Sequence, residues 1–290
     1  MVRWSWLVPV VCLLAATVSP PPADSALPPG MVEAVRRDLG LSLGEYLAQA
    51  EVGARRRPGA DVGAGEPTVP SFVPPFLRAG EPIATARDDQ LGRCTAGFVL
   101  VAGDGTTRLL TSGHCGRPGE RVFSGGLAVA EFERVVTDDL DRGGQGDDYA
   151  VVRPLLDLPG FRAGVVDHRG GVVRVDGVAE PVVGAPVCKS GRTTGWTCGR
   201  VTAVRTRVRS QAPGAAGRVL GVFAHDACTE PGDSGGPVLS GTRAVGITHG
   251  GLTGPDGRCP SRTGGADLAV AEPLATDVLP DLAGLRLRTG

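Results

Sequence analysis

An all-β chain organised as two small β domains is the fold the sequence predicts, and three observations predict it. From about residue 96 onward, short runs of alternating apolar and polar residues recur, as strands with one buried face require. Glycine, present 45 times, separates them, supplying turn conformations closed to other residues. The region from residue 79 to 290, roughly 210 residues, is long enough to bury the cores of two β domains. Strands this short and frequent imply a sandwich or barrels.

Taken in chain order, the first element is residues 1–26. Arg3 forms a short positive region and Trp4 to Val18 is almost wholly apolar, the pattern of a secretory signal peptide. Pro9 and the Pro20, Pro21, Pro22 cluster interrupt the run, which argues against a membrane anchor. Ala23 and Ser25 predict cleavage near Ser25 or Ala26. Residues 27–78 divide in two. Val35, Leu39, Leu43, Tyr46 and Leu47 fall near helical spacing within Met31 to Arg57, predicting a short amphipathic pair of helices. From Arg57 to about Gly80 the chain is rich in Pro and Gly and reads as a cleavable linker. Strands are then expected at Ala96 to Val101, Arg108 to Thr111, Leu127 to Val136, Asp148 to Val152, Gly171 to Val175, Arg200 to Val208, Arg218 to Ala224, Pro237 to Leu239 and Arg243 to Thr248, with a closing helix over Glu272 to Leu285 interrupted at Pro280.

A formal net charge of −1 argues against a nucleic-acid partner, and the composition is that of a soluble globular protein. Of seven cysteines, Cys12 lies in the signal region. The other six, Cys94, Cys115, Cys188, Cys198, Cys228 and Cys259, form an even set suited to disulfides in an oxidising compartment. Six cysteines allow 15 pairings. With no CxxC pair and four scattered histidines, neither a metal nor another cofactor is expected.

Three motifs carry chemistry. LLTSGHC at Leu109 to Cys115 supplies an imidazole, DDYAVV at Asp147 to Val152 a carboxylate, and GDSGGP at Gly232 to Pro237 a hydroxyl. A serine hydroxyl is a poor nucleophile unless a base stands beside it, a third group fixes the base's tautomer and donors await the oxyanion. Ser234, His114 and Asp148 fill the first three roles. The N–H groups of Gly232 and Ser234 fill the last, because glycine can take the backbone angles that aim both at one oxygen. Each motif alone has a bland reading as a turn, a structural histidine or a strand start. Their order, His then Asp then Ser, is the one used by chymotrypsin-type enzymes rather than by subtilisins or α/β-hydrolases. His114 and Asp148 fall in the first half and Ser234 in the second, which places the reaction at the junction of the two domains.

VCKSGRTTGWTCG at Val187 to Gly199, CTEPGDSGGPVLSGTRAVGITHGG at Cys228 to Gly251 and GRCTAGFVL at Gly92 to Leu100 resemble the streptogrisin and alpha-lytic endopeptidase branch of the chymotrypsin superfamily, from roughly Ala79 onward. The resemblance implies secreted serine endopeptidases made as precursors, folded as two antiparallel six-stranded β-barrels with the active site between them. Barrel 1 would span about 79–165 and barrel 2 about 166–290. It implies the pairs Cys94–Cys115, Cys188–Cys198 and Cys228–Cys259. It also implies an internal ion pair in which Lys189, the only lysine, holds Asp233; the alternative is a surface lysine beside Arg192. RDLGLS at Arg37 to Ser42 resembles the start of the family's pro-segments, so residues 27–78 are expected to be a short pro-segment and linker, lacking the strand-rich second half of larger examples. The expected partners are polypeptide substrates and the chain's own pro-segment before processing. No nucleic acid, no membrane after signal removal, and a monomeric state are expected.

The specificity pocket is expected between Thr229, Glu230, Pro231 on one side and Thr248, His249, Gly250, Gly251 on the other. The paired glycines favour an apolar P1 residue of medium to large size. Asp226 and Asp267 are candidates for a pocket floor that would select Arg or Lys instead. His249 stands where the family usually has a serine bonded to the triad carboxylate. It can replace that bond, line the pocket and favour acidic P1, or be a wall residue. His168 and His225 have no motif around them and read as structural or exposed. A catalytically dead binding protein on the same fold is the alternative from another class.

Overall fold

The computed structural model describes residues 77–87, 90–124, 127–155 and 161–290. The expected signal peptide and nearly all of the expected pro-segment and linker lie outside the described residues. Strands dominate the described chain. One sheet of eight strands runs, in spatial order, Leu285–Leu287, Val99–Ala102, Thr107–Thr111, Asp148–Pro154, Leu127–Thr137, Arg121–Ser124, Pro82–Arg87 and Gln90–Thr95. A second sheet runs Gly177–Val178, Arg243–Gly251, Pro237–Ser240, Pro186–Gly191, Gly195–Arg209, Val219–His225 and Ala269–Pro273. Because Arg243–Gly251 also pairs with Ala269–Pro273, six of these strands close into a ring, which removes their free edges. The first sheet has eight strands rather than six; one of them is the C-terminal strand Leu285–Leu287, which returns to pair with Val99–Ala102. A small sheet joins Arg78–Ala79 to Arg162–Val166 and Val172–Val173.

The strand Asp148–Pro154 shows why the sequence reads as a continuous apolar run there. Its first five residues are all buried. Ala150 and Val152 pack into the first sheet's own core with Val99, Leu109 and Phe132. Tyr149 and Val151 face the opposite way, into a second core with Phe98, Leu100 and Leu110 that also takes Leu239, Ala244 and Ile247 from the second sheet and Leu274, Val278 and Leu282 from the C-terminal segment. Alternate side chains point to opposite faces, so a strand buried on both sides holds Asp148 at the seam between the domains. Val187, Val201, Phe223, Val238, Val245 and Ala271 fill the second ring. Truncating a buried leucine or phenylalanine in such a core typically costs about 2–5 kcal/mol.

Two expectations are corrected. The helix expected over Glu272 to Leu285 is shorter: Glu272 belongs to the strand Ala269–Pro273, helical turns cover only Leu274–Val278 and Leu279–Asp281, and Leu285 begins the last strand. Ala269 and Ala271 are buried on one face while Glu272 pairs with Ile247, so the period here is two rather than helical. The strand expected over Gly171 to Val175 is only Val172–Val173. Pro82–Arg87, Gln90–Thr95, Arg121–Ser124, Arg162–Val166, Pro186–Gly191 and Ala269–Pro273 add strands that the alternation did not mark.

Candidate active site

His114 sits in the one-turn 3-10 helix Gly113–Cys115, directly after the strand Thr107–Thr111. Its backbone N–H donates to Asp148 Oδ1 at 2.8 Å, and its Nδ1 lies 2.6 Å from Asp148 Oδ2. An ionised carboxylate only accepts, so Nδ1 carries the proton and Nε2 keeps its lone pair. Gly113 is required by this approach: a Cβ there would fall 2.2 Å from the Val136 carbonyl oxygen and 3.0 Å from Asp148 Oδ1. Asp148 is fully buried. Burial works against its ionisation, yet the charge and hydrogen bond of His114, and those of His249, outweigh it and hold the carboxyl well below the usual carboxylate range.

Ser234 lies on the loop between the strands Val219–His225 and Pro237–Ser240. Its hydroxyl donates to the His249 carbonyl at 3.0 Å, and among the described residues no hydrogen bond joins it to His114. Catalytic hydrogen bonds of this kind often form only once substrate is bound. Gly232 holds φ at +103°, and a Cβ there would meet Thr193 Oγ1 at 2.6 Å. Among the described residues the N–H groups of Gly232 and Ser234 donate to no acceptor, while their carbonyls are tied down. Thr95 Oγ1 donates to Gly232 O at 2.8 Å and the Thr95 N–H to Ser234 O at 2.8 Å. Those bonds fix the Gly232–Asp233 and Ser234–Gly235 peptide planes.

Between these residues Asp233 points inward. Lys189 Nζ lies 2.9 Å from Asp233 Oδ2 with both side chains wholly buried. The same carboxylate accepts from the Thr193 and Thr194 N–H groups, Thr194 Oγ1 and the Glu230 N–H at 2.7–3.2 Å. Burial disfavours the charge on Asp233, but Lys189 and these donors overcome it and hold the group below its ordinary range. Gly191 allows the approach, since a Cβ there would fall 2.3 Å from Asp233 Oδ1. Disulfides join Cys94 to Cys115, Cys188 to Cys198 and Cys228 to Cys259. The first ties the strand Gln90–Thr95 to the turn bearing His114.

Of the residues expected in the pocket, several are engaged elsewhere. The Glu230 carboxylate accepts from Arg262 Nε at 2.7 Å and the Cys259 N–H at 3.2 Å, bracing the Cys228–Cys259 loop. Thr248 is buried, and its backbone binds Gly235, Gly236 and Ser112. Gly251 faces Thr229 so closely that a Cβ on it would lie 2.5 Å from the Thr229 carbonyl oxygen, whereas one on Gly250 would meet nothing within 4 Å. Asp226 is exposed, and its Oδ1 accepts from the Arg200 N–H; Asp267 Oδ1 accepts from the Ser261 N–H at 2.8 Å. The His249 ring turns toward Asp148, with Nδ1 2.7 Å from Asp148 Oδ2. His225 is buried, accepts from the Ala227 N–H at Nδ1, and leaves Nε2 without a partner among the described groups. Burial, with the Lys189 charge, pushes it down to about 4. His168 is exposed in a left-handed turn at φ 56°.

His114, Asp148 and His249 bring three donor atoms within 4.8 Å of one another, the described histidine–carboxylate set that could hold a metal. Both Nδ1 protons are already engaged by Asp148 there.

Among protein families, the one described as Trypsin matches residues 105–263, which is more than half of the chain and contains all three motifs. The chain belongs to the trypsin family. Streptogrisin-C of Streptomyces griseus is 34% identical over 178 residues, covering 59% of this chain and 34% of its own length. Serine protease 2 of Streptomyces fradiae is 32% identical over 182 residues, covering 60% of this chain and 92% of its own. The crystal structure of Protease A from Thermobifida fusca aligns with a TM-score of 0.58 at 30% identity, covering 74% of this chain and all of that one. This trypsin-family member is therefore a serine-type endopeptidase of the bacterial, streptogrisin-like kind, with two β-barrel domains.

Several residues of the site are unmarked in the sequence. Thr95, Ser112 and Thr194 act through hydrogen bonds to partners far along the chain, and nothing local distinguishes them from strand threonines and serines. Glu272, whose Oε2 accepts the Asp148 N–H at 3.1 Å, is obscured because its segment reads as helical. Its only sequence signal is an acid inside the apolar run Ala269 to Leu274.

Proposed function

We propose that this chain hydrolyses polypeptides through an acyl-enzyme, with Ser234 as nucleophile, His114 as general base and then acid, and Asp148 as the group that orients the imidazole. The observation that carries the reading is the double grip of Asp148 on His114, backbone N–H and Nδ1 together, across the domain seam from Ser234. As Ser234 Oγ attacks the scissile carbonyl carbon, its proton passes to His114 Nε2. The carbonyl oxygen gains negative charge and is held by the N–H groups of Gly232 and Ser234. Collapse of the tetrahedral intermediate breaks the C–N bond, and His114 returns the proton to the leaving amine. Water then repeats the sequence, giving its proton to His114 and its oxygen to the acyl carbon, and Ser234 is regenerated. Losing one oxyanion donor in such a site typically costs about 3 kcal/mol of barrier.

The substrate side chain N-terminal to the cleaved bond would lie between Thr229 and the Gly250–Gly251 segment, whose backbone suits pairing with an extended peptide. Apolar P1 is the reading we favour, because Asp226 and Asp267 engage backbone N–H groups elsewhere and the His249 ring is committed to Asp148. A peptide-library cleavage profile of the enzyme tests this: cleavage after apolar residues is expected. Cleavage confined to Arg and Lys, or to Glu, would overturn the P1 assignment. Secretion as a precursor, with residues 27–78 removed, belongs to the same proposal and is supported by the signal pattern and by three disulfides suited to an oxidising compartment.

A further inference from the structure

The strand Arg243–Gly251 shifts register against Ala269–Pro273 between Thr248 and Gly250, so His249 is the extra residue of a β-bulge. Bulges re-aim side chains next to active sites. Here Thr248 and His249 are both buried although they are consecutive, and the bulge delivers the His249 ring to the face of Asp148 that His114 already uses. Both Nδ1 atoms reach the same oxygen, Oδ2, at 2.6 Å from His114 and 2.7 Å from His249, and the two rings meet edge to face with centroids 4.9 Å apart. At its far side His249 Nε2 lies 2.9 Å from Ser210 Oγ, which in turn accepts the Ala212 N–H at 3.2 Å.

The placement of protons fixes the resting arrangement. The carboxylate accepts, so His249 Nδ1 bears a proton; in the neutral ring Nε2 is then an acceptor and the Ser210 hydroxyl donates to it. Both ring nitrogens of His249 and the Ser210 hydroxyl are thereby paired within a buried site. The charged and titratable groups facing His249 are Asp148 and His114 from the first barrel. Behind Asp148 stand Glu272, on the strand paired with Arg243–Gly251, and Asp147 and Asp277, whose carboxylates cluster with it. Among the described residues nothing on that rear side donates to Asp148 Oδ2, so the two imidazoles divide its basicity.

We propose that His249 is a positioning residue of the triad: by donating to the oxygen that His114 also uses, it orients Asp148 and lowers the proton affinity that Asp148 confers on His114. This deepens the proposed peptidase mechanism and rests on it for its catalytic meaning, but its physical content does not require turnover. A hydrogen bond to the ionised form of a carboxylate withdraws charge from it. Without that bond, Asp148 stabilises the His114 imidazolium more strongly, and the base stays protonated to higher pH.

The test is an NMR titration of the ¹⁵N-histidine-labelled, folded enzyme, comparing the native protein with His249→Ala and His249→Asn. Asn is the conservative replacement because its side-chain NH₂ occupies the place of histidine Nδ1 and can still donate to Asp148. Native enzyme should show two low-field Nδ1 protons, one lost in His249→Ala. The His114 midpoint in that variant should rise by about one pH unit, with the acid limb of kcat/KM moving alongside it and kcat falling while KM holds. His249→Asn should restore the midpoint. Should His249→Ala fail to fold, Ser210→Ala replaces it, weakening the His249 donor and moving the midpoint the same way by less. A His114 midpoint unmoved in each folded variant, or a rise that His249→Asn does not reverse, would overturn the proposal. An enzyme inactive on every peptide would instead refute the peptidase reading, while the His114 midpoints would still decide whether His249 tunes the pair.

Discussion

Lys189 is wholly buried yet charged, and its surroundings explain why that is tolerated. Its Nζ meets Asp233 Oδ2 at 2.9 Å and Thr194 Oγ1 at 2.6 Å, while Asp233 has backbone donors for its other lone pairs. Such a pair adds uncertain net stability, but removing one partner leaves an uncompensated buried charge and commonly costs about 3–5 kcal/mol. Lys189→Met should therefore lower the stability measured by denaturant unfolding by about that amount, and should cost activity, because Asp233 lies between Gly232 and Ser234, the two oxyanion donors we propose. The double variant Lys189→Met, Asp233→Asn should recover part of the stability. If the single change is neutral, the pair does not hold the loop. The chemistry of this residue was legible in the motif around Cys188 by resemblance alone. Nothing in its own flanking sequence separates a buried lysine from a surface one. His249 was legible as a departure and not as a geometry, because a one-residue bulge that re-aims a side chain leaves no periodic trace.

At the scale of elements, the strand Ala269–Pro273 carries an acid into the interior behind Asp148. Glu272 is buried, and burial first, then the charges of Asp148 and Asp147, raise it well above its ordinary value of 4.5. Oε2 accepts the Asp148 N–H. An acid whose affinity for its proton rises on folding contributes stability that is complete below about pH 4.5 and is lost as pH climbs toward the raised folded value. Glu272→Gln keeps the carbonyl acceptor and removes the titration. Its melting temperature relative to native enzyme should therefore rise steadily from about pH 4.5 upward; a difference independent of pH would show that Glu272 does not bind an extra proton in the fold. Asp147, buried beside it, is likewise raised by burial. The alternation of short strands was readable wherever one face met solvent. It failed for Pro186–Gly191 and Ala269–Pro273, which are short, apolar on both faces or interrupted by a charge, and which tertiary pairing alone makes into strands. The π-type and α turns of Leu274–Asp281 replace the longer helix because that segment must both fill the inter-domain core with Leu274 and Val278 and turn back toward the first sheet.

At the scale of the whole molecule, the seam between the two barrels is held by a shared core and a shared hydrogen-bond network. Its apolar half joins both sheets and the C-terminal segment in one core. Its polar half is a set of cross-domain hydrogen bonds: Thr95 to Gly232 and Ser234, Ser112 to Thr248, and Asp148 to His249 and Glu272. The position of Ser234 thus depends on strands of the domain that carries His114. The three motifs were readable because acyl transfer demands particular side chains in particular local frames. The contacts that align them were not, since they join residues more than 100 positions apart, as Ser112 to Thr248 and Thr95 to Gly232 do. If this seam makes Ser234 a nucleophile through His114, a fluorophosphonate should find it. Treatment of the processed enzyme with such a reagent, followed by peptide mass mapping, reads the outcome. Stoichiometric phosphonylation of Ser234, abolished in His114→Ala while the fold is retained, is the expected result; absence of labelling at Ser234 in folded native enzyme, or labelling undiminished in His114→Ala, would contradict it.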